Sequence, residues 1–204
     1  MAYSDFTLRE VIKRFQLQLD DQSQLFAALP PVEPSSWLRS ILDETAPLAL
    51  AIHTEKARSE LIVAPILVEI RRRAKNPVSL FSGVEFSIDP ASGLTGVCDF
   101  ILSQSPEQLF VNAPVLAIVE AKNDNVKSGL GQCIAEMIAA QIFNAREGTG
   151  IDTVYGVVTT GSIWKFLRLH QTLVSIDQAE YYLDDLPTIL AMIFTMVQGA
   201  APDA

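Results

Sequence analysis

The chain has 204 residues, 49% of them hydrophobic, and a formal net charge of −9. This length suits a single domain over residues 1–204, and the hydrophobic content excludes a disordered chain. The two cysteines, Cys98 and Cys133, are too few for a disulfide framework or a cysteine-rich metal site, so we expect them in the core. The acidic balance argues against nucleic-acid binding through a broad basic surface.

No membrane segment or secretory signal is expected. The N-terminal residues lack the charged head and apolar run of a signal peptide, so we expect a cytoplasmic protein. The apolar stretch at residues 186–201 is shorter than the roughly 20 residues that a membrane span needs. We predict an apolar C-terminal helix over 184–201, either buried in the core or packed against a second copy in a homodimer.

The first part of the chain is predicted to be helical. Helices are expected over about residues 7–19, 35–50 and 54–73. The first begins with a Thr7–Glu10 capping box, and PPVEP at residues 30–34 separates it from the second. Pro65 is expected to kink the third helix or to join two helices.

The second part alternates strands and helices. Short runs rich in Val, Ile and Phe predict strands over residues 79–88, 96–103, 114–122, 153–160, 162–170 and 172–176. A helix is expected at 127–147, and Gly161 should turn a hairpin whose Trp164 packs against the core instead of stacking on a base. This order predicts an α/β fold with a central mixed sheet flanked by helices.

Three charged residues stand at the ends of two predicted buried strands. Glu120 and Lys122 end the run PVLAIVEAK and point the same way, because side chains two apart on a strand share a face. Asp99 is the lone charge in GVCDFIL, and an uncompensated carboxylate in apolar surroundings is costly. A divalent cation between Asp99 and Glu120 would compensate both, and the simpler alternative is an ion pair of Lys122 with either carboxylate.

The order of these residues resembles the PD-(D/E)XK, or restriction-endonuclease-like, nuclease superfamily. A helix carrying Glu60, a strand carrying Asp99, a strand ending in Glu120-Ala121-Lys122 and a helix with Gln132 follow one another. The stretch GLTGVCDFILS…PVLAIVEAKNDNVKSGLGQCIAEMIAAQIFN is similar to an uncharacterised bacterial group of that superfamily, and the likeness covers about residues 55–170. No Pro precedes Asp99, and the loop that follows its strand is long.

The resemblance implies a restriction-endonuclease-like core over residues 54–177, preceded by an N-terminal helical extension over 1–53. It implies a Mg²⁺ or Mn²⁺ cofactor and a nucleic-acid substrate, which we expect to be DNA. The implied metal ligands are Asp99, Glu120, the carbonyl of Ala121 and, directly or through water, Glu60. Lys122 would be the catalytic lysine, Gln132 would support the site, and Glu136 lies one helical turn further on.

Other interpretations remain open at this stage. Glu60 could instead be a solvent-exposed residue of its helix. Gln132 could instead cap the start of a helix after Gly129 and Gly131. Those two glycines lack the third position of a dinucleotide fingerprint. Asp124 suits a turn, His53 and His170 lack metal-ligand spacing, and the basic run Arg71–Lys75 suits a helix C-terminus.

The rival function belongs to another class. The same fold, with an unused site, can serve as a binding or assembly module that acts with a partner protein. The net charge of −9 and the apolar C-terminal helix favour this alternative.

Overall fold

The fold consists of a mixed β-sheet with helices on both faces. The structure is a computed structural model, and it describes residues 1–26 and 29–198. The helices are α1 (Leu8–Arg14), α2 (Ser36–Ile52), α3 (Glu55–Arg58), α4 (Ala64–Arg73), α5 (Val126–Arg146) and α6 (Leu186–Gln198). The strands are β1 (Gln18–Asp20), β2 (Ser79–Glu85), β3 (Val97–Ser103), β4 (Val115–Ala121), β5 (Thr153–Thr159), β6 (Ile163–His170), β7 (Leu173–Ile176) and β8 (Tyr181–Tyr182). The predicted α/β class and central mixed sheet are confirmed.

The sheet has the strand order β1-β7-β6-β5-β4-β3-β2, and β8 pairs with β6. The pairs β1–β7 and β4–β5 are parallel, and the other pairs are antiparallel. Helices α2, α4 and α6 contribute to the core cluster on one face, and α1 and α5 to the cluster on the other. Every residue of β4 is buried, as expected for a central strand covered on both faces.

The expected core positions of several residues are confirmed. Cys98 and Cys133 are buried free thiols. Trp164 is fully buried in the β5–β6 hairpin, and its Nε1 donates to the carbonyl of Gly161 at 3.1 Å. Trp164 therefore packs the hairpin against the core and is not accessible for stacking on a base.

The N-terminal segment differs from the predicted helical extension. Helix α1 ends at Arg14, Gln16 adopts a left-handed backbone conformation with φ of 54°, and residues 18–20 then form β1. This strand pairs in parallel with β7, more than 150 residues further along the chain. The segment therefore contributes a strand to the sheet as well as helices.

Pro65 marks a join between two helices, which is one of the two outcomes predicted from the sequence. Helix α3 passes through a π-helical segment, Ser59–Val63, into α4, and Pro65 lies in the first turn of α4. The N–H of Ala64 donates to the carbonyl of Ser59, which is the i to i−5 bond of a π-turn. Proline disrupts α-helical bonding at such a position, which accounts for the irregularity.

The C-terminal helix is buried within the chain. Eight residues of α6 are buried, and seven of them belong to the same core cluster as α4 and β4. The helix was predicted either to be buried in the core or to pack against a second copy, and burial in the core is observed. Residues 199–201 of the predicted helix lie outside the described residues. Within residues 1–26 and 29–198, no helix combines the length and the apolar character needed to cross a membrane.

Candidate active site

Two carboxylates meet where β3 begins and β4 ends. The antiparallel register pairs Phe100 with Val119, so Asp99 and Glu120 occupy the next positions on adjacent strands. The N–H of Ala121 donates to Asp99 Oδ2 at 2.8 Å, which fixes the Asp99 side chain against β4. The two side chains are on the same face of the sheet, and the charge of Asp99 acts on Glu120.

Glu120 is a buried carboxylate with one oxygen paired and one unpaired. Its relative exposure is 1%, and Lys122 Nζ donates to Oε1. Oε2 is buried without a hydrogen-bond partner. The ion pair considered as an alternative is therefore present, but it satisfies only half of the Glu120 carboxylate.

Helix α5 connects Lys122 to a second buried acid. Lys122 Nζ also donates to Gln132 Oε1 at 3.3 Å, and Gln132 Nε2 donates to Glu136 Oε1 at 3.1 Å. Glu136 is fully buried, and its Oε2 has no partner. The structure thus brings together four predicted residues, Asp99, Glu120, Lys122 and Gln132, and adds Glu136 on the same helix.

Gly129 makes space for the stem of Lys122. A Cβ atom at this position would lie 3.1 and 3.2 Å from Cγ and Cε of Lys122, and 2.7 Å from Cγ1 of Val158. Only glycine therefore allows α5 to approach the strand end this closely. The Gly129-x-Gly131 pattern is explained by helix packing and needs no dinucleotide.

A further acid, Glu55 of α3, influences this cluster, although no sequence pattern indicates it. Glu55 acts electrostatically on both Glu120 and Lys122. Glu60, the predicted residue, has a 58% exposed side chain and pairs with Lys56 at 2.6 Å. A π-turn contains an extra residue, so it shifts helix faces and makes α-helical spacing a poor guide at this point.

Burial raises the pKa of each acid of the site, and the charges of neighbouring acids add to the rise for Glu120 and Glu136. Burial, and then the charge of Asp99, raise the pKa of Glu120 to about 8. Burial likewise raises the pKa of Asp99 and, together with the charge of Glu120, that of Glu136. Burial lowers the pKa of Lys122, but the neighbouring Glu120 outweighs it and the pKa is raised overall. The site therefore contains more acid than its single lysine can balance.

Unpaired polar atoms are concentrated in this region. In the described parts of the chain, five side-chain nitrogen or oxygen atoms are buried without a hydrogen-bond partner. Two belong to the site, Glu120 Oε2 and Glu136 Oε2, and a third, Asn123 Oδ1, belongs to the residue that follows Lys122. A fourth, Nε of Arg58, belongs to a side chain that contacts the turn after β5. Buried polar atoms normally find partners, so this concentration is typical of a place where a ligand or water supplies them.

The available donors fit a hard divalent cation. Among the described residues, no group of three or more His, Cys, Asp and Glu side chains is arranged to hold a metal ion. Mg²⁺, however, is commonly held by one or two carboxylates, with waters and substrate phosphates as the remaining ligands. Asp99 and Glu120 supply two adjacent carboxylates, and the unpaired Oε2 is a free ligand atom. Oxygen donors of this kind suit Mg²⁺ or Mn²⁺ better than softer metals.

The remaining candidates have ordinary structural contacts. His53 Nε2 lies 3.3 Å from Asp124 Oδ1, and His170 contacts Thr153 and Asp152. In the basic run, Arg72 stacks on the Trp37 ring at 4.5 Å, and Arg73 pairs with the buried Glu69 at 2.9 Å.

Comparisons of this chain with protein-family models, with curated proteins and with solved structures give no match. A functional assignment must therefore come from the geometry of the site.

Proposed function

We propose that this chain is a Mg²⁺- or Mn²⁺-dependent phosphodiesterase that hydrolyses nucleic acid, with DNA as the expected substrate. The observation that carries the proposal is the buried, unpaired Oε2 of Glu120 beside the Asp99 carboxylate, with Lys122 against the same group. A site that served only as an ion pair would not need the second carboxylate or the free oxygen. Perturbed acids next to a lysine at a strand end are typical of catalytic sites.

The arrangement of secondary structure supports the same proposal. Asp99 and the Glu120–Lys122 pair lie on adjacent antiparallel strands, and α5 follows β4 and brings Gln132 to the lysine. This is the order of elements in a restriction-endonuclease-like core, to which we assign the residues from α3 to β7.

The proposed reaction is hydrolysis by in-line attack. Asp99 and Glu120, with the carbonyl of Ala121, would hold the cation. When bound, the cation would stabilise charge on the phosphate and lower the pKa of a bound water. A water oxygen forms a bond to phosphorus, the bond to the leaving nucleoside oxygen breaks, and that oxygen takes up a proton.

Lys122 is the residue of the chain best placed to assist this step. Its ammonium group, oriented by Glu120 and Gln132, can position the attacking water or neutralise a non-bridging phosphate oxygen. Gln132 contributes by holding the lysine, and Gly129 by leaving room for its stem.

The test is cleavage of fluorescently labelled duplex and single-stranded DNA and RNA, with Mg²⁺ or Mn²⁺ and with EDTA. We expect cation-dependent cleavage that falls by about 10²–10⁴-fold in K122A and D99N, the range for loss of a group that assists catalysis. Lys165→Ala is the matched control. Lys165 is also a lysine on a strand, but its Nζ donates only to the backbone carbonyls of Gln178 and Ala179, which follow β7. Cleavage by K122A at the wild-type rate, or cleavage that persists in EDTA, would contradict the proposal.

A non-catalytic module is the second candidate function. The C-terminal end of α2 exposes three large apolar side chains, Leu48, Leu50 and Ile52, at 52%, 42% and 49%. The overall charge of −9 disfavours a second copy as their occupant, so the expected partner is a protein with an apolar and basic surface. A wild-type chain that binds no cation and cleaves none of the four substrates would favour this second function.

A further inference from the structure

Arg58 is a buried arginine without an acidic partner. It is 8% exposed, and in the described residues no Asp or Glu oxygen lies within ion-pair distance of its guanidinium. Its hydrogen-bond partners are neutral acceptors, and its Nε has none. A buried charge with only neutral partners is costly, and apolar side chains of similar volume often replace even paired buried charges without loss of stability. Stability therefore does not explain an arginine here.

The partners of Arg58 belong to the segments that surround Lys122. Nη1 donates to the carbonyl of Thr160 at 2.9 Å and to Ser162 Oγ at 3.1 Å. The residue before Thr160 is Thr159, whose carbonyl accepts the backbone N–H of Lys122 at 2.8 Å. Arg58 is thus one residue removed from the backbone bond that holds the catalytic lysine.

A second branch leads to the loop after Lys122. Nη2 of Arg58 lies 3.0 Å from His53 Nδ1, and His53 Nε2 lies 3.3 Å from Asp124 Oδ1. Since the guanidinium can only donate, Nδ1 of His53 accepts and the proton of the neutral ring is on Nε2, directed at Asp124. One side chain therefore connects the β5–β6 turn, the α2–α3 joint and the loop that follows Lys122.

Arg58 also shares a turn of α3 with Glu55, which lies three residues earlier. The charges that act on Glu120 are chiefly those of Asp99, Lys122 and Glu55, which indicates that Arg58 contributes through geometry more than through its own charge.

We propose that Arg58 is a positioning residue of the cation site, which holds Glu55 and the two chain segments beside Lys122 in register. This inference rests on the proposed function. A planar guanidinium can reach three separate acceptors at once, whereas the ammonium of a lysine is a compact point charge, so Lys cannot replace Arg58 fully.

The experiment measures Mn²⁺ binding by calorimetry to the wild type, R58M and R58K, together with the thermal midpoint of each protein. We expect Mn²⁺ affinity to fall by about 10–100-fold in R58M, the usual effect of losing an outer-shell partner, and by less in R58K. Arg73→Met is the matched control, because Arg73 also forms hydrogen bonds at a helix end but to Glu69 and Glu33. R73M should lower the thermal midpoint and leave Mn²⁺ affinity unchanged.

A double-mutant cycle with E55Q separates positioning from a general loss of structure. If Arg58 acts through Glu55, R58K and E55Q together should weaken Mn²⁺ binding little more than E55Q alone. Wild-type affinity in folded R58M or R58K would overturn the inference and leave the proposed function standing. Fully additive effects would overturn the role through Glu55. If the wild type itself bound no Mn²⁺, the proposed cation site would fail first, and the inference with it.

Discussion

Glu120 and Glu69 are both buried carboxylates, but their surroundings act on them in opposite directions. Glu120 has one lysine and a second acid beside it, and its pKa is raised to about 8 by burial and by Asp99. Burial also opposes ionisation of Glu69, but hydrogen bonds from Arg73 and Ser35 outweigh it and its pKa is lowered. Its hydrogen bonds therefore stabilise the ionised form of Glu69, whereas ionisation of Glu120 lowers the stability of the folded protein.

This difference predicts how stability depends on pH in the absence of metal. Between the ordinary pKa of 4.5 and about 8, folded Glu120 keeps a proton that the unfolded chain has released. The free energy of unfolding therefore decreases as pH rises through this window, by at most about 1.4 kcal/mol per pH unit for one group. Urea denaturation in EDTA at pH 5, 6, 7 and 8 should show this fall in the wild type and a flatter profile in E120Q.

E69Q is the control for that experiment. A lowered pKa contributes stability that is fully present above the unfolded pKa and is lost only as pH falls through the folded value. E69Q should therefore lower the free energy of unfolding by a similar amount at pH 5 and pH 8, giving a profile parallel to the wild type. Parallel profiles for E120Q would show that Glu120 ionises normally in the folded protein.

At the scale of the element, α5 is positioned by two glycines with different neighbours. A Cβ at Gly131 would lie 2.2 Å from the carbonyl oxygen of Phe6 and 2.5 Å from the carbonyl carbon of Thr7. A Cβ at Gly129 would instead meet mainly side-chain atoms, those of Val158 and Lys122. The contact at Gly131 is with backbone atoms, which cannot rotate away. The contact at Gly129 is partly with the flexible side chain of Lys122.

The two glycines therefore predict different losses on substitution by alanine. G131A should lower the free energy of unfolding by about 1–3 kcal/mol, the usual cost of overpacking, because the segment before α1 must shift. G129A should cost less stability but reduce DNA cleavage more, since it displaces Lys122. Denaturant unfolding and cleavage rates measured on both variants test this. Equal stability losses with equal cleavage would contradict this difference between the two glycines, and wild-type values in both variants would show that neither close approach is required.

The elements that could be predicted from the sequence are those with a strong local pattern. The runs at β3 and β4 carry both their apolar character and their charged residues, so the proximity of Asp99, Glu120 and Lys122 can be predicted from the sequence. Strand β1 has three residues and exists because β7 pairs with it, which no local pattern reveals. Glu55 could not be selected over Glu60 because the π-helical segment Ser59–Val63 follows α3, and a π-turn shifts the helix faces on its two sides relative to α-helical spacing.

At the scale of the whole molecule, the net charge of −9 requires that any nucleic-acid contact be local. Two exposed lysines, Lys127 and Lys75, mark two regions at different distances from the site. Lys127 lies in the first turn of α5, which starts four residues after Lys122. Lys75 follows α4 and precedes β2, whose first residue pairs with Ser103 at the end of β3 far from Asp99. The proposed site places DNA at Lys127 and away from Lys75.

Charge reversal at these two positions tests where nucleic acid binds. K127E and K75E each change the charge by two units, from −9 to −11, so they differ in location alone. With Ca²⁺ in place of Mg²⁺, we expect K127E to weaken binding of labelled duplex DNA and to reduce the slope of log affinity against log salt by about 1, while K75E matches the wild type. Fluorescence anisotropy over a salt series measures both quantities. A larger effect of K75E would instead place DNA on the Arg71–Lys75 surface, at the opposite end of the sheet from Asp99, and would contradict the proposed active site because the scissile phosphate could not then reach Lys122.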